Sequence, residues 1–277
     1  MRIRATIALL LPLVCLLGCT LPTTPPASTN SPTTPSPTPS GSWENWQIQA
    51  GAAITSPPNT YPSFLGAIQV QGAQASGIFT TVEAAGTTGQ PLDYTGSFNS
   101  STEDVFLATF GYGFDFNQPA TPYTLVPVGV TGGCVYPPGY TGPECLAILA
   151  VPSVGVQIAP LNGTYTGTLT DSASASMSGT GTLTLTQAST PDSSGAFPLT
   201  GTLTFPGSSG IGTGTYPISG AVSGEGITLG YLSAAVIGPA ISLTGSTNPA
   251  ATQLSVSNLT WAETGPSFTF TGTLTLQ

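Results

Sequence analysis

The side chains of this sequence that could act as general acids or bases near neutral pH are chiefly carboxylates. The chain has eleven acidic residues, no histidine, no lysine, and two arginines, Arg2 and Arg4. A serine or cysteine nucleophile needs an adjacent base, so a hydrolytic triad is excluded. Nucleic acid is a poor partner for the same reason, because its phosphates are bound by cationic side chains. We therefore expect no enzyme of the triad class and no nucleic-acid ligand.

Two carboxylates at a suitable separation can hydrolyse glycosides. Glu103 and Asp104 are adjacent and would point to opposite faces of a strand. No Asp-x-Asp-x-Asp-Gly calcium loop is present. We expect no catalytic residue, no metal site and no cofactor, with a glycosidase and a loose calcium site as the weaker alternatives. The full set of acids is Glu44, Glu83, Asp93, Glu103, Asp104, Asp115, Glu144, Asp171, Asp192, Glu225 and Glu263.

The first nineteen residues have the pattern of an export signal. A positively charged start, 1–4, precedes an apolar segment, 5–17, that is shorter than the ~20 residues a membrane-spanning helix needs. This order is typical of a secretory signal. The segment ends in Leu16-Leu17-Gly18-Cys19, which resembles the lipobox of bacterial lipoproteins. The alternative is an ordinary secretory signal with a coincidental cysteine.

The lipobox resemblance implies cleavage before Cys19, a diacylglycerol on its sulfur and an acylated amine. Two or three acyl chains are enough for stable anchoring. Thr20 stands where an Asp would imply retention at the inner membrane in enteric relatives. The expectation is therefore a lipid-modified (palmitate-type) protein held in the outer membrane, on its periplasmic face or at the cell surface.

Two further cysteines, Cys134 and Cys145, flank a loop rich in Gly and Pro. An exported protein meets an oxidising compartment, so we expect these two to form a disulfide worth ~2–3 kcal/mol. The same loop carries Tyr136 and Tyr140 beside prolines. These rings could stack on a sugar, although tyrosines in such loops more often pack on their own prolines.

Residues 19–42 are predicted to be a linker, and the rest of the chain is predicted to be all-β. Between Leu21 and Ser40 there are seven Pro and ten Ser or Thr, a composition that favours extended chain over a packed core. From Trp43 onward, apolar and polar residues alternate with a period of two. We expect an N-terminal β region over 43–160 and a C-terminal, related, barrel-like region over 161–277, with almost no helix.

The C-terminal region contains the pentapeptide Thr-Gly-Thr-Leu-Thr four times, at 166–170, 180–184, 200–204 and 271–275. In each copy the Gly and Leu share one face with flanking Leu or aromatic residues, and the Thr residues lie on the other. We expect the Leu face inside, the Thr face outside, and the glycines where a side chain would crowd the interior. The polar Thr face favours this arrangement over a membrane-spanning barrel, whose outside is apolar.

About eight short strands are expected after Leu161, in the order of an antiparallel meander, which suits a closed barrel. The parity of the apolar residues slips between Val256 and Leu259, which predicts a β-bulge near Asn258.

The sequence as a whole predicts a lipid-anchored cell-envelope protein with a structural or interaction role and no enzymatic activity. The alternative is a binding module for a small apolar ligand or a glycan. Gly41-Ser42-Trp43 resembles the Gly-x-Trp opening of lipocalins, which hold such ligands in a barrel. The partners expected are the membrane, through Cys19, and a glycan, a small apolar ligand or an envelope protein.

Overall fold

The computed structural model describes most of the chain from residue 37 onward. The described ranges are 37–50, 63–82, 88–101, 104–109, 112–116, 123–126, 151–173, 178–205, 214–232, 240–262 and 267–277. Sixteen strands lie in these ranges. The described residues include no helix that is long and apolar enough to cross a membrane.

The first eight strands form one closed antiparallel barrel in which each strand pairs with its neighbours in sequence. Closure comes from the pairing of the first strand with the eighth, and it leaves no exposed edge. The strands of this first barrel are β1 (Trp43–Ala50), β2 (Ser63–Gln71), β3 (Gln74–Val82), β4 (Thr88–Asn99), β5 (Asp104–Thr109), β6 (Tyr112–Phe116), β7 (Tyr123–Val126) and β8 (Val151–Ile158).

The last eight strands form a second closed barrel of the same order, completed by pairing of its first and last strands. The predicted all-β fold with an eight-stranded C-terminal barrel and a related N-terminal half is confirmed. The strands of this second barrel are β9 (Gly163–Asp171), β10 (Ser178–Gln187), β11 (Phe197–Phe205), β12 (Gly214–Ser223), β13 (Gly226–Leu232), β14 (Ala240–Thr247), β15 (Gln253–Ala262) and β16 (Ser267–Leu276).

The repeated pentapeptides lie on β9, β10, β11 and β16, with the predicted faces. Their leucines, Leu169, Leu183, Leu203 and Leu274, are buried in the core of the second barrel. Their threonines are exposed or half-buried on the outer surface. A β-branched residue suits such an exposed pleated surface, and burial of the opposite face specifies the register.

The glycines in the apolar rows avoid a collision, but mostly with backbone and not with interior side chains as the sequence suggested. At Gly167, Gly201 and Gly272 a Cβ atom would overlap a carbonyl oxygen of the neighbouring strand. Gly66 and Gly96 have the same relation to their neighbours in the first barrel. Strongly coiled strands bring neighbouring backbones together at these points, which is why small barrels need glycine there.

The predicted β-bulge is confirmed on β15. Asn258 pairs with Thr244 while Val256 pairs with Gly245, so the register shifts by one residue. The ladder to β16 shifts between Val256 and Leu259. The bulge therefore lets both apolar rows of this strand face the barrel interior.

The two barrels belong to one compact unit, Thr33–Gln277, and contact each other asymmetrically. The first barrel contributes the outer wall of β1, β2 and β3. The second contributes one end, which carries the β10–β11 loop and the β12–β13 turn and is here called the junction end.

The central contact at the junction is made by Asn45, which is 2 % exposed although it lies on the outer face of β1. Its amide nitrogen donates to the carbonyl of Gly224 at 2.9 Å, and its Oδ1 accepts from the Gly224 N–H at 2.9 Å. Beside it, Gln47 Oε1 accepts from the N–H of Glu225 at 3.1 Å. The two side chains thereby pair with backbone groups of the β12–β13 turn, as a neighbouring strand would.

A second contact is made by the β10–β11 loop. Ser194 accepts through its carbonyl from Thr80 Oγ1 at 3.0 Å. Gly195, at φ +82°, lies against the backbone of Ile78 and of Gly66, where a Cβ would overlap the Ile78 carbonyl. Ala67, which faces outward from β2, is fully buried and belongs to the core of the second barrel.

Candidate functional site

The residues that the sequence singled out for modification or recognition lie outside the described residues. These are Cys19, Cys134, Cys145, Tyr136 and Tyr140. The predicted lipid attachment, the predicted disulfide and the predicted stacking loop therefore stay predictions.

Two of the described carboxylates have structural partners. Glu44 lies on the interior face of β1 and accepts from Trp46 Nε1 at 3.1 Å and from the Thr38 N–H at 3.1 Å. Asp192 organises the β10–β11 loop by accepting from the N–H groups of Ser194 at 2.8 Å and Ala196 at 3.2 Å. Both acids are thus used in holding chain segments in place.

Two tyrosines are kept neutral by the barrel interiors. Burial raises the pKa of Tyr94, in the first barrel, and also that of Tyr165, in the second. The Tyr165 hydroxyl donates to the carbonyl of Ala251 at 2.8 Å and so ties β9 to the β14–β15 turn. Neither group is a base at neutral pH.

The end of the second barrel opposite the junction end is lined by aromatic rings. Strands β11, β13 and β15 finish at this end, and β12 and β16 begin there. Each of these strands places an aromatic residue on its interior face close to its terminus. The rings, which together are called the aromatic end, are Phe205, Tyr216, Tyr231, Trp261, Phe268 and Phe270.

The rings of the aromatic end contact one another in two edge-to-face pairs and three tilted pairs. The centroids of Tyr216 and Trp261 are 4.6 Å apart at 87°, and those of Phe205 and Trp261 are 5.7 Å apart at 82°. Such T-shaped pairs are favoured by the ring quadrupoles. Because β11 and β15 are opposite each other in the barrel, the contact between Phe205 and Trp261 crosses and fills the interior at this level.

Three of the rings form the outer layer of the aromatic end. Tyr216, Tyr231 and Phe268 are half-buried, whereas Phe205, Trp261 and Phe270 are buried. Tyr216 and Tyr231 have centroids 5.9 Å apart. These three rings are thus the members of the aromatic end that keep some solvent exposure.

One carboxylate, Asp171, faces the interior at the same end. It follows Tyr165, Gly167 and Leu169 on the inward face of β9 and pairs across the ladder with Phe270. Asp171 is 5 % exposed. Its Oδ1 accepts from the N–H of Ala173 at 3.2 Å, the bond of a local Asx turn.

The charge around Asp171 is not compensated by the chain. The sequence has no lysine, no histidine, and no arginine after residue 4. Within the described ranges, no group of three or more acidic, Cys or His side chains could hold a metal ion. The aromatic end thus combines ring faces with one carboxylate that has no protein counter-ion.

The chain matches no protein-family model and no curated protein. Its function must therefore be argued from its own residues.

The sequence alone did not predict the aromatic end. The apolar rows that contain Phe205, Trp261 and Phe270 were recognised, but their convergence depends on strand order and register. One signal was present, namely that Phe205, Tyr231 and Trp261 each end an apolar row, where a barrel mouth lies. Asp171 was similarly visible as an acid that continues the inward row of β9.

Proposed function

We propose that this chain is a lipid-anchored protein of the cell envelope that acts by binding and not by catalysis. The observation that carries the proposal is Leu16-Leu17-Gly18-Cys19 directly before the Pro/Ser/Thr-rich segment 19–42, followed by two barrels without a cationic side chain. Acylation at Cys19 would attach the chain to a membrane, and at ~3.1 Å per extended residue the linker would hold the barrels tens of ångströms away.

A role without catalysis is supported by what the described acids do. Glu44 and Asp192 hold backbone N–H groups, and Asp93 is exposed on the outer wall of the first barrel. The interior of the second barrel is packed with apolar side chains. A general acid–base pair of the glycosidase type would need two carboxylates around a cleft.

The test of the anchor is mass spectrometry of the mature amino terminus, together with fatty-acid labelling of growing cells. We expect the first residue to be Cys19, carrying a diacylglyceryl group and an N-acyl chain, in the outer-membrane fraction. Cys19→Ala should abolish labelling and release the protein from membranes. Cys15→Ala is the matched control, since it removes a cysteine of the signal that is cut away. An unacylated amino terminus on protein from the culture supernatant would refute the anchor.

A second candidate function is binding of a small apolar ligand or a glycan, favoured by the clustering of six rings at the aromatic end. Because Phe205 and Trp261 meet across the interior, a ligand is expected on the outer layer of rings and not deep in the barrel. Glycan-array and lipid-extract binding with the purified protein test this role. Failure of a Tyr231→Leu variant to alter any binding found would exclude the aromatic end as its site.

A further inference from the structure

We propose that the end of the first barrel at which β1 begins is a peptide-binding site, which the chain's own residues 37–42, here called the strap, occupy. This inference rests on the proposed role in binding and names the chemical class of one partner, a short peptide that contains proline and glycine.

The first contact of the strap is with Glu44, on the interior face of β1. The carboxylate of Glu44 accepts from the Thr38 N–H, at 3.1 Å through Oε1 and at 3.3 Å through Oε2. The same carboxylate accepts from Trp46 Nε1 at 3.1 Å, which fixes its direction. A charged acceptor makes a stronger hydrogen bond than a neutral one. Glu44 is therefore well suited to hold a backbone N–H group at this end of the barrel.

The second set of contacts lies on β2. The N–H of Gly41 donates to the carbonyl of Val70 at 2.9 Å, and Gln69 Nε2 donates to the carbonyl of Gly41 at 2.7 Å. Gln69 alternates along β2 with Ile68 and Val70, which are buried in the core of the first barrel, so its side chain comes from the outward face. The strap is therefore held from both faces of the barrel wall, and each of these bonds uses its backbone.

Because the site holds backbone groups, its selectivity depends on the shape of the peptide. Pro37 is buried, and Gly41 has a φ of +76°, a conformation that favours glycine. Pro39 lies at the centre of a tight turn in which the Ser40 N–H donates to the Thr38 carbonyl at 2.7 Å. The proline ring fixes a φ close to the one that such a turn needs. The site therefore favours a peptide of the form Pro-x-Pro-x-Gly.

The strap is expected to open more easily than the strand that follows it. The side chains of residues 38–40 are exposed, whereas β1 pairs with both β2 and β8. Segments with few buried side chains and with exposed backbone hydrogen bonds open locally at the smallest cost in free energy. Opening would make the Glu44 carboxylate and the Gln69 amide accessible to another peptide.

The attachment of the strap to β1 gives it an advantage over any free peptide. A segment joined to its site by a short linker has an effective concentration on the order of mM. The apparent affinity of a free peptide is reduced by the fraction of molecules in which the strap is open. The strap therefore competes with other peptides, and weakening it should reveal the site.

The first experiment measures amide hydrogen exchange of residues 37–42 by mass spectrometry, on the full-length protein in a non-ionic detergent. We expect exchange at least about tenfold slower than in an unfolded peptide of this sequence. Thr38→Pro removes the N–H that Glu44 accepts and should abolish the protection of the remaining amides. Thr38→Ala is the matched control, because it keeps the N–H and changes only an exposed side chain. Its strap should exchange as slowly as that of the wild-type protein.

The second experiment is calorimetric titration with a capped synthetic peptide that has the sequence of residues 37–42. The Thr38→Pro protein should bind it at least about tenfold more tightly than the wild-type protein, whose site is occupied. Adding Glu44→Gln to Thr38→Pro should weaken the peptide at least about tenfold, because an amide has one acceptor oxygen where a carboxylate has two. Adding Asp93→Asn instead removes an exposed acid of the same barrel and should leave binding unchanged. Circular dichroism should show that every variant is folded.

Three results would overturn the inference. They are exchange of residues 37–42 in the wild-type protein as fast as in the unfolded peptide, equal exchange in Thr38→Pro and Thr38→Ala, and no binding of the peptide to Thr38→Pro up to about 10 mM. Peptide binding that Glu44→Gln leaves unchanged would also overturn it, because the peptide would then lie elsewhere. Binding of a glycan or an apolar ligand, with none of the peptide, would refute this site and leave the proposed role in binding intact. The lipid anchor is measured separately by mass spectrometry of the amino terminus, so its failure cannot be confused with failure here.

Discussion

The two barrels have the same strand number and order but opposite uses of their surfaces. The first barrel buries part of its outer wall, where Asn45 and Ala67 lie under the second barrel. The second barrel keeps an outer wall of exposed and half-buried threonines and uses its two ends, one for the junction and one lined by aromatic rings. The same barrel topology therefore gives a wall that is partly covered or a wall that is exposed, depending on which outward-facing residues are polar.

The interiors of the two barrels differ less than their walls. Both need glycine where neighbouring backbones approach, as at Gly96 in the first and Gly201 in the second. Both bury a tyrosine, Tyr94 and Tyr165. The comparison indicates that the interior reflects the demands of barrel closure, whereas the wall reflects what each barrel contacts.

The largest effect is expected from charging the wall of each barrel at one outward-facing position. Ala67→Lys would force an ammonium into the junction, because Ala67 is 0 % exposed, and should cost about 3 kcal/mol or more. Thr202→Lys, on the exposed wall of the second barrel, should change the free energy of unfolding by less than about 0.5 kcal/mol. Urea unfolding measures both.

If Ala67→Lys and Thr202→Lys destabilise equally, the wall of the first barrel is not covered as described. Should Ala67→Lys fail to fold, Ala67→Ser provides a milder change, which should still unfold at lower urea than Thr202→Ser.

The next effect tests whether both barrels depend on close backbone approach. Gly96→Ala and Gly201→Ala would each press a methyl group into a neighbouring carbonyl and should destabilise by about 2–3 kcal/mol. Gly230→Ala is the control, because its Cβ would lie 3.6 Å from the Ile241 carbonyl, an ordinary contact. It should be neutral or slightly stabilising. A neutral Gly96→Ala beside a damaging Gly201→Ala would show that the first barrel is less tightly coiled.

A somewhat smaller effect is expected at the junction. Asn45→Ala would leave the Gly224 N–H and carbonyl buried without their partner and should cost about 2 kcal/mol. The control is Asn99→Ala, an exposed amide that accepts from the Ser101 N–H at 3.0 Å, expected to cost less than about 1 kcal/mol. If the barrels depend on this contact for cooperativity, Asn45→Ala should split one urea transition into two. An unchanged single transition with unchanged midpoint would contradict this role.

The smallest effect is a loss of stability at high pH. Burial raises the folded-state pKa of Tyr94 and Tyr165 above the ordinary value of 10.0. As the pH rises, the tyrosines of the unfolded chain therefore lose their protons before those of the folded protein. The free energy of unfolding is unaffected by these two groups below about pH 10. Above that pH it falls, by at most ~1.4 kcal/mol per pH unit for each tyrosine.

Tyr94→Phe should flatten this fall in urea unfolding between about pH 9 and pH 11. An identical pH profile for Tyr94→Phe and the wild-type protein would contradict the assignment. Tyr165→Phe provides the comparison from the second barrel, with an added cost at neutral pH of about 1 kcal/mol for the lost bond to Ala251.

The fold class was predictable because alternation is a local property. The four pentapeptides fixed the inward face of β9, β10, β11 and β16, and the parity slip at Asn258 located the bulge. The first barrel was harder to recognise because Leu65, Ala67 and Ile78 are apolar on the outward face. These outward apolar residues indicate that the wall is covered, but they do not indicate which part of the chain covers it.

The sequence by itself determined which ionisable side chains the protein has, namely carboxylates without a cationic partner. It also determined the two-residue alternation that gives each strand one apolar face. Only the tertiary structure decided that Asn45 would be buried and that six rings would meet at one end of the second barrel. The physical reason is that a side chain's face depends on its own strand, whereas its neighbours depend on barrel closure and register across strands distant in sequence.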